Sequence, residues 1–465
     1  MMNIDKNKLV LVHDKSDLIK DLPLETKEIG YYQDSWNRFK KNKGALVAFI
    51  VICFVFFMVL VGPYMKPYDL PERDPNLALR FKFIEPKIPF LENFGIFDGR
   101  REVTAGKYFL NAVANSPYGE GVIISGFPQE LVEDVNHPNY ADITEFTVVV
   151  DHYKFVNYTQ SYMPTTYFGN HGTLGSDPLA PVIENLSRAQ FEAYLARNII
   201  IDVISITESP NAQDPANPFI TYKVRVDRFK QALNQLPEDT YFWFGTNEHG
   251  RDLFTEIWRG ARISILMAIG IVLINAVIGL TIGSIVGYYG GVLDLLFDRF
   301  VEIVSAVPFL SVLVLLTLRF GTDLWVIIVA FTATGWIGSY GTGRMQFYRF
   351  KNREYVLAAR TLGASDARIM FKHILPNTLG LIVTSYALAI PAFVFSEATY
   401  SFLGIINYKE AISVGMLIQQ GQAQMHSYPY LLLFPSIYIA ILMIAFNLFG
   451  NGLRDAFNPS LRGVE

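Results

Sequence analysis

Residues 354–377 read EYVLAARTLGASDARIMFKHILPN and form a polar, basic, helix-favouring segment between two apolar runs. Ala359 and Gly363 are four residues apart, so on a helix they would lie one above the other on one face. Pro376 is predicted to end the segment, because it has no amide proton and disfavours a helical residue before it. The pattern predicts a helix with a small-residue face that serves as a docking surface. The alternative interpretation is an ordinary solvated connector.

Outside this segment the chain is strongly apolar. It has 465 residues, of which 51% are hydrophobic, and its mean hydropathy is +0.26. A helix needs about 20 apolar residues to cross a bilayer. Runs of suitable character occur at residues 44–62, 263–288, 303–318, 324–343, 378–395 and 431–449. The sequence therefore predicts an all-α polytopic membrane protein with six transmembrane helices.

The charge distribution predicts the orientation of these spans. The formal net charge is −4, but acidic side chains outnumber basic ones within residues 66–240 and are outnumbered elsewhere. Basic residues are concentrated before the first span and after the fourth, at Arg38, Lys40, Lys41, Lys43, Arg344, Arg349, Lys351, Arg353, Arg360 and Arg368. Because basic residues stay cytoplasmic, both termini and residues 344–377 are predicted inside, and residues 66–240 outside.

The same patterns divide the chain into four parts. Residues 1–33 are predicted to be a cytoplasmic tail, and residues 34–65 an interfacial helix followed by the first span, which resembles a signal anchor. Residues 66–240 are long enough for an independent domain. Residues 241–462 would form the membrane core with the other five spans, including the cytoplasmic loop 346–377.

The outer part, residues 66–240, has the pattern of an α+β domain inserted between the first two spans. Three segments are rich in β-branched residues and are predicted strands, namely 146–155, 198–207 and 220–227. Two more have helical spacing, 187–198 and 227–236, with Ser187 as the expected N-cap. The single cysteine, Cys53, excludes an intramolecular disulfide and is predicted to be a small buried hydrophobe.

Two features of the spans invite a functional interpretation. Gly279, Gly283 and Gly287 repeat at four-residue spacing, which predicts close packing of helices. Glu397 lies near the outer end of the fifth span and is a candidate for facing a transport pathway, since ionisable groups in membranes tend to be functional. The charged residues at the start of the third span, Asp298, Arg299 and Glu302, favour a structural role.

Motifs that would indicate an enzyme are absent from the sequence. There is no GxxxxGK[ST] loop for ATP, no HExxH or paired CxxC for a metal, and no GxSxG nucleophile elbow. We therefore predict that this chain is not an enzyme and holds no cofactor or metal, and no feature indicates nucleic-acid binding.

At this point the motifs resemble a known family. Segment 354–377 resembles the EAA motif of permease subunits in ATP-binding-cassette importers. Segments 38–47, 245–264, 287–310 and 445–462 resemble the oligopeptide/dipeptide branch of the binding-protein-dependent transport family. The resemblance implies a type I importer permease fold, in a multi-pass protein of the bacterial inner or plasma membrane.

In that family the motif forms a coupling helix that docks on an ATPase subunit. Position by position, the coupling residues implied are Glu354, Ala358, Ala359, Arg360, Gly363 and Ala364. Leu357 stands where the motif has glutamate, His373 where it has isoleucine, and Asn451 where many relatives carry aspartate. The implied partners are a homologous permease, two ATPase subunits that carry ATP and magnesium, a peptide-binding lipoprotein and the lipid bilayer.

The resemblance implies half of a peptide translocation pathway. Two other functions remain open from the sequence. One is an envelope mechanotransmission protein that relays ATPase motion to its outer domain. The other is an importer of nickel chelates or other small solutes. The inserted residues 66–240 are larger than the family's usual outer loop, and the resemblance implies nothing about their role.

Overall fold

The computed structural model describes residues 31–65, 68, 75–162, 183–209, 219–409 and 411–457. Its α-helices are α1 Tyr31–Lys41, α2 Lys43–Val61, α3 Pro75–Ala78, α4 Lys107–Ala114, α5 Gln129–Glu133, α6 His152–Asn157, α7 Arg188–Ala196, α8 Arg228–Leu233, α9 Leu253–Tyr289, α10 Gly291–Ser305, α11 Phe309–Phe320, α12 Leu324–Phe350, α13 Glu354–Thr361, α14 Asp366–Arg368, α15 Leu375–Phe402, α16 Val414–Ala423 and α17 Tyr430–Phe457. The strands are β1 Arg100–Gly106, β2 Ile123–Ser125, β3 Glu145–Asp151, β4 Ile183–Ser187, β5 Ile200–Ser209 and β6 Phe219–Val226. Residues 1–30 of the predicted tail, 458–462 of the predicted core, and parts of the predicted outer domain lie outside the described residues.

The described residues are mostly helical and contain five helices long and apolar enough to cross a membrane. These candidate spans lie in α2, α9, α12, α15 and α17. A sixth would be formed by α10 and α11 together, if that bent pair counts as one span. The predicted mostly helical fold is therefore confirmed, with five or six candidate spans.

The third predicted span, residues 303–318, is not one continuous helix. Helix α10 ends at Ser305, α11 begins at Phe309, and the two are bent by 66°. Pro308 lies at the break as the N-cap of α11, with an extended ψ of 126°. A proline has no amide proton to continue a helix and disfavours helical backbone in the residue before it, so it separates the two helices.

Helix α9 is the longest of the described helices. It begins at the N-cap Asp252, whose side chain accepts a hydrogen bond from the Thr255 N–H. Its 37 residues extend about 55 Å at the usual rise. The hydrocarbon core of a bilayer is only about 30 Å thick, so α9 reaches well beyond it.

The prediction that Cys53 is buried is wrong, because its side chain is exposed. Helix α2 buries one stripe of side chains, which includes Ile52, Val55 and Met58, and Cys53 lies outside that stripe. An almost uniformly apolar helix does not reveal from its sequence which side packs inward, and for that reason the prediction failed.

Strands occur between α2 and α9, in the segment that we call the insert. One antiparallel sheet has the order β1-β3-β2, and a second has the order β4-β6-β5. In the first, Arg100 lies opposite Asp151; in the second, Ile200 lies opposite Val226. Each sheet has its own apolar cluster, around Leu110 in the first and around Leu186, Ile199 and Val224 in the second.

The three strands predicted in the insert are confirmed, with one difference at the end of the first. Strand β3 ends at Asp151, and the remaining predicted residues fold into α6. The Asp151 carboxylate accepts the N–H groups of Tyr153 and Lys154, which starts a helix where the β-branched pattern ends. Ser187 caps α7 in a capping box with Gln190, which confirms its predicted role.

Stacked aromatic rings join the insert to the core. Phe83 stacks on Tyr428 with 4.3 Å between ring centroids, and Phe244 stacks on Phe434 with 4.1 Å. Tyr428 and Phe434 belong to the segment that begins α17. We call this contact the junction; aromatic pairs of this kind contribute about 1 kcal/mol each beyond their buried area.

A half-buried ion pair lies beside these rings. The Arg101 guanidinium lies 4.1 Å from the centre of the Tyr428 ring, and 3.7 Å separates its Nη1 from Glu85 Oε1. The Glu85 N–H donates to His152 Nδ1 at 3.2 Å. Burial raises the pKa of Glu85 to about 7 although Arg101 opposes the shift, and burial together with Arg101 lowers the pKa of His152 to about 3.

The two chain segments that lead into and out of the insert are in direct contact. The Arg262 side chain on α9 donates to the carbonyl oxygens of Val59 and Leu60 at the end of α2, at 3.0 and 2.9 Å. A Cβ atom at Gly62 would lie 2.6 Å from Cγ of Trp258, so the Trp258 side chain packs directly on the Gly62 backbone. The last turn of α2 and the first turns of α9 therefore lie side by side.

Candidate functional site

The segment 354–377 folds as a short helix, a turn and a second helix. Helix α13 ends at Thr361, and Gly363 follows it with a φ of +81°. The Gly363 N–H donates to Arg360 O at 3.0 Å, and the Ala364 N–H donates to Ala359 O at 3.0 Å. This pair of bonds is the Schellman arrangement, which favours glycine at this position because the backbone is left-handed there.

The predicted small-residue face of Ala359 and Gly363 does not form. Gly363 lies in the turn, beyond the end of α13, so the two residues share no helix face. Ala359 packs against an apolar group that we call the inner cluster, which consists of Tyr288, Phe347, Val356, Ile369, Met370 and Ile374. Val356 is fully buried in it and fixes α13 to the core. The prediction failed because it assumed that one helix continued through the glycine.

The surface that α13 and the turn present is partly apolar. Glu354, Ala358, Arg360 and Gly363 are exposed, and Ala364 is half-buried. Leu357 is 44% exposed and Leu362 is 88% exposed. Leu362 was not among the predicted site residues; an apolar residue directly before a helix-ending glycine was the available signal.

Pro376 does not end the segment, contrary to the prediction. Residues Ile369–Ile374 form a π-helix that continues directly into α15, and Pro376 lies in the first turn of α15. Proline is tolerated in a first turn, where an amide would have no intrahelical partner. The wider winding before it lets the chain pass from α14 into the long helix α15 without a loop.

Basic side chains attach the start of this segment to the neighbouring helices. Lys351 Nζ donates to the carbonyl oxygens of Gly287 and Tyr288, at 3.0 and 3.2 Å, and so caps the end of α9. The Arg344 guanidinium binds the Asp294 carboxylate of α10 through two hydrogen bonds of 2.5 and 3.0 Å. Charge-assisted bidentate pairs are the strongest of these contacts and fix the orientation of both partners.

The glycine track brings α9 and α12 together at backbone distance. A Cβ atom at Gly279 would lie 2.6 Å from Tyr340 N, and one at Gly283 would meet the Tyr340 carbonyl oxygen. One at Gly287 would lie 2.9 Å from the Cα atom of Arg344. No side chain fits between the two helices at these levels, which is the geometry that small residues at four-residue spacing permit.

Glu397 is fully buried within this chain. Its carboxylate accepts hydrogen bonds from Ser264 Oγ on α9, at 3.1 Å, and from Ser401 Oγ on its own helix, at 3.0 Å. A buried carboxylate needs such partners. These contacts tie α15 to α9, and the role of Glu397 in a pathway stays a prediction.

A cavity of about 350 Å³ opens beside this region. It is lined largely by apolar side chains of α15, α16 and α17, including Phe395, Phe402, Ile418 and Met443. Within the part of the chain that the structure describes, no group of three or more His, Cys, Asp or Glu side chains is arranged to hold a metal ion.

Comparison with known proteins relates this architecture to transport. The family of the binding-protein-dependent transport system inner membrane component matches residues 279–463, and the N-terminal TM domain of oligopeptide transport permease C matches residues 30–83. A chain of the inward-facing MetNI methionine ABC transporter has a TM-score of 0.35 at 19% identity, over 43% of this chain and 95% of that one.

Curated relatives are more similar in sequence. The dipeptide transport system permease protein DppC of Bacillus subtilis is 42% identical over 236 residues, which are 50% of this chain and 74% of the relative. The oligopeptide transport system permease protein OppC of the same organism is 42% identical over 49% of this chain and 74% of its own length. OppC of Haemophilus influenzae is 40% identical over 48% of this chain and 71% of its own length. By these matches the chain belongs to the inner membrane components of binding-protein-dependent transport systems.

Proposed function

We propose that this chain is the permease subunit of an ATP-binding-cassette importer of peptides. The observation that carries the proposal is the identity of 40–42% to dipeptide and oligopeptide permeases, over more than two thirds of each relative. In this function the chain supplies half of the translocation pathway and has no enzymatic activity of its own. ATP is hydrolysed by separate subunits.

The ATPase would dock on α13 and the turn that follows it. Glu354, Ala358 and Arg360 project from α13, and Leu362 offers an almost fully exposed apolar side chain beside them. Exposed apolar and charged side chains on a fixed helix suit a protein contact. Leu357, which replaces the glutamate of the related motif, makes this contact more apolar than the family pattern.

The assembly follows from the same proposal. The bent pair α10 and α11 serves as the third of six spans, in a type I importer permease fold, and both termini are cytoplasmic. The insert lies outside the cell membrane, between the first and second spans. The partners are a homologous permease, two ATPase subunits and a peptide-binding lipoprotein, and the pathway lies between the two permeases in the lipid bilayer.

One experiment tests the assembly. The tagged chain is purified from its native membrane in mild detergent, and the proteins that accompany it are identified by mass spectrometry. Recovery of a second permease, ATPase subunits and a peptide-binding lipoprotein supports the importer. Recovery of an ATPase with a cell-wall hydrolase, and without a solute-binding lipoprotein, favours the mechanotransmission alternative. Recovery of a nickel-chelate receptor in place of a peptide receptor would change the proposed substrate but leave the importer function in place.

The turn at Gly363 gives a first prediction. Gly363→Ala is expected to weaken ATPase docking by up to about fivefold, because alanine disfavours the left-handed backbone by about 1 kcal/mol and the free permease would hold the docking turn less often. A Cβ atom at this position meets no other atom within 4 Å, so the effect comes from the backbone rather than from a clash. ATPase retention on the immobilised permease, measured over a range of ATPase concentrations, gives the change in affinity.

Gly363→Asn is the matched control for this prediction, since asparagine adopts the left-handed conformation more readily than alanine does. Binding by the asparagine variant should be close to that of the unchanged permease. Equal losses for both variants would mean that the ATPase contacts the bare glycine directly, and an unaffected alanine variant would exclude a role for the turn geometry.

A further inference from the structure

One side chain of the core reaches both halves of the proposed docking segment. The Tyr288 hydroxyl at the end of α9 donates to Asp366 Oδ1 at 2.6 Å, and it accepts a hydrogen bond from Arg360 Nη2 at 3.1 Å. Arg360 is on α13, and Asp366 begins α14 on the other side of the Gly363 turn. The hydroxyl therefore bridges the two helices that flank the turn.

The Tyr288 ring is held firmly enough to act as a link. It is only 6% exposed and belongs to the inner cluster, where Val356, Ile369 and Ile374 are fully buried. Its hydroxyl contacts two side chains that carry opposite charges, and hydrogen bonds to charged groups are stronger than neutral ones. The ring is thus fixed by packing and its polar end by both halves of the segment.

The helix that carries Tyr288 is in turn joined to its neighbours. Helix α9 meets α12 at backbone distance through the glycine track, and Lys351 caps the last turn of α9. Arg344 connects α12 to α10 through Asp294. A displacement that reaches the end of α9 is therefore shared by three helices, because close-packed elements shift together rather than deform.

We propose that Tyr288 is the positioning residue that transmits displacement of α13 and α14 to α9, and thereby to the membrane helices. This inference rests on the proposed importer function. The hydroxyl is the part that matters, since it hydrogen-bonds to both Arg360 and Asp366, whereas the ring has only the Arg360 guanidinium over its face, 5.8 Å from its centre. The ring, packed in the inner cluster, holds the hydroxyl in place and stays the same in a phenylalanine variant.

The test compares Tyr288→Phe with Tyr289→Phe in the complete transporter, reconstituted in proteoliposomes with its ATPase subunits and lipoprotein. Tyr289 is the adjacent residue, with an exposed side chain, so its variant matches the chemistry without the bridge. The probe is an equimolar tripeptide mixture, and uptake is measured by mass spectrometry. Peptide transported per ATP hydrolysed is expected to fall about fivefold or more for Tyr288→Phe, a usual size for coupling between sites. It should be unchanged for Tyr289→Phe.

A double-mutant cycle separates transmission from simple structural support. Asp366→Asn alone should lower the same ratio, and combining it with Tyr288→Phe should add little, because both remove one bridge. Retained ATPase subunits in each variant show that docking survives. A normal ratio in Tyr288→Phe, or strictly additive losses, overturns the inference. Failure of the unchanged transporter to bind ATPase subunits or move peptides overturns the proposed function instead.

Discussion

Gly283→Ala is expected to separate α9 from α12 and to destabilise the permease by about 2–3 kcal/mol, the usual cost of overpacking a close contact. The added methyl group would collide with the Tyr340 carbonyl oxygen and lie 2.9 Å from Arg344 N, both on the backbone of α12. Neither atom is at the end of a flexible side chain, so the helices themselves must move. Thermal unfolding of the purified permease in detergent measures the loss.

Gly270→Ala is the control on the same helix. A Cβ atom at Gly270 meets no other atom within 4 Å, so the substitution should be neutral, or stabilising by up to about 1 kcal/mol through helix propensity. An equal loss in both variants would show that the loss does not come from the contact with α12. Unchanged stability of Gly283→Ala would disprove the backbone contact.

The second large effect concerns how the free energy of unfolding depends on pH through Glu85 and His152, which lie beside the junction. When the protein unfolds, Glu85 returns from a pKa of about 7 towards 4.5, and His152 from about 3 towards 6.5. Between pH 4.5 and 6.5 the folded state holds its proton on Glu85, and the unfolded state holds one on His152. Both states bind one proton, so the two contributions to the pH dependence of the free energy of unfolding are expected to cancel there.

Replacing either Glu85 or His152 should reveal the pH dependence of the free energy of unfolding that the other residue causes. In Glu85→Gln, only the unfolded state gains a proton as the pH falls from 6.5 to 4.5, so the free energy of unfolding should fall by about 1.4 kcal/mol per pH unit. In His152→Gln, only the folded state gains one as the pH falls from about 7, so it should rise by a similar amount.

Urea unfolding of the purified permease at several pH values measures these slopes. Each variant is compared with the unchanged chain, so that groups shared by all three cancel in the difference. Slopes of the same sign in both variants would contradict the assignment. Glutamine at position 152 keeps an oxygen that can accept the Glu85 N–H, so loss of that hydrogen bond should contribute little to the result.

Much of the fold could be predicted from local patterns. The long apolar runs placed the main membrane helices, because length and charge alone decide whether a helix can span. The β-branched runs placed three strands of the insert, and Ser187 placed the start of α7, since caps and pleated surfaces select residue types locally. The four-residue spacing of the glycines places them on one face of a helix, and that face is where α9 meets α12.

The rest depended on contacts between distant residues. Whether Ala359 faces solvent was decided by the inner cluster, and whether Cys53 is buried was decided by which side of α2 meets the core. The bridge from Tyr288 to Asp366 joins residues 78 positions apart, so no local pattern indicates it. The Gly363 turn did have a local signal, because glycine commonly follows the end of a helix, but the prediction ran one helix through this residue.

The contact between the end of α2 and the start of α9 has a consequence for how such a chain could arise. Leu253 begins α9 five residues before Trp258, about 8 Å along the helix axis, and Trp258 touches Gly62. The insert thus leaves the core and returns to it at nearly one point. A short loop would close that gap, so the two sheets could be absent from such a chain without redirecting either helix. The rings that face Tyr428 and Phe434 come from Phe83 and Phe244, which lie outside both sheets, so these two contacts with the core would remain.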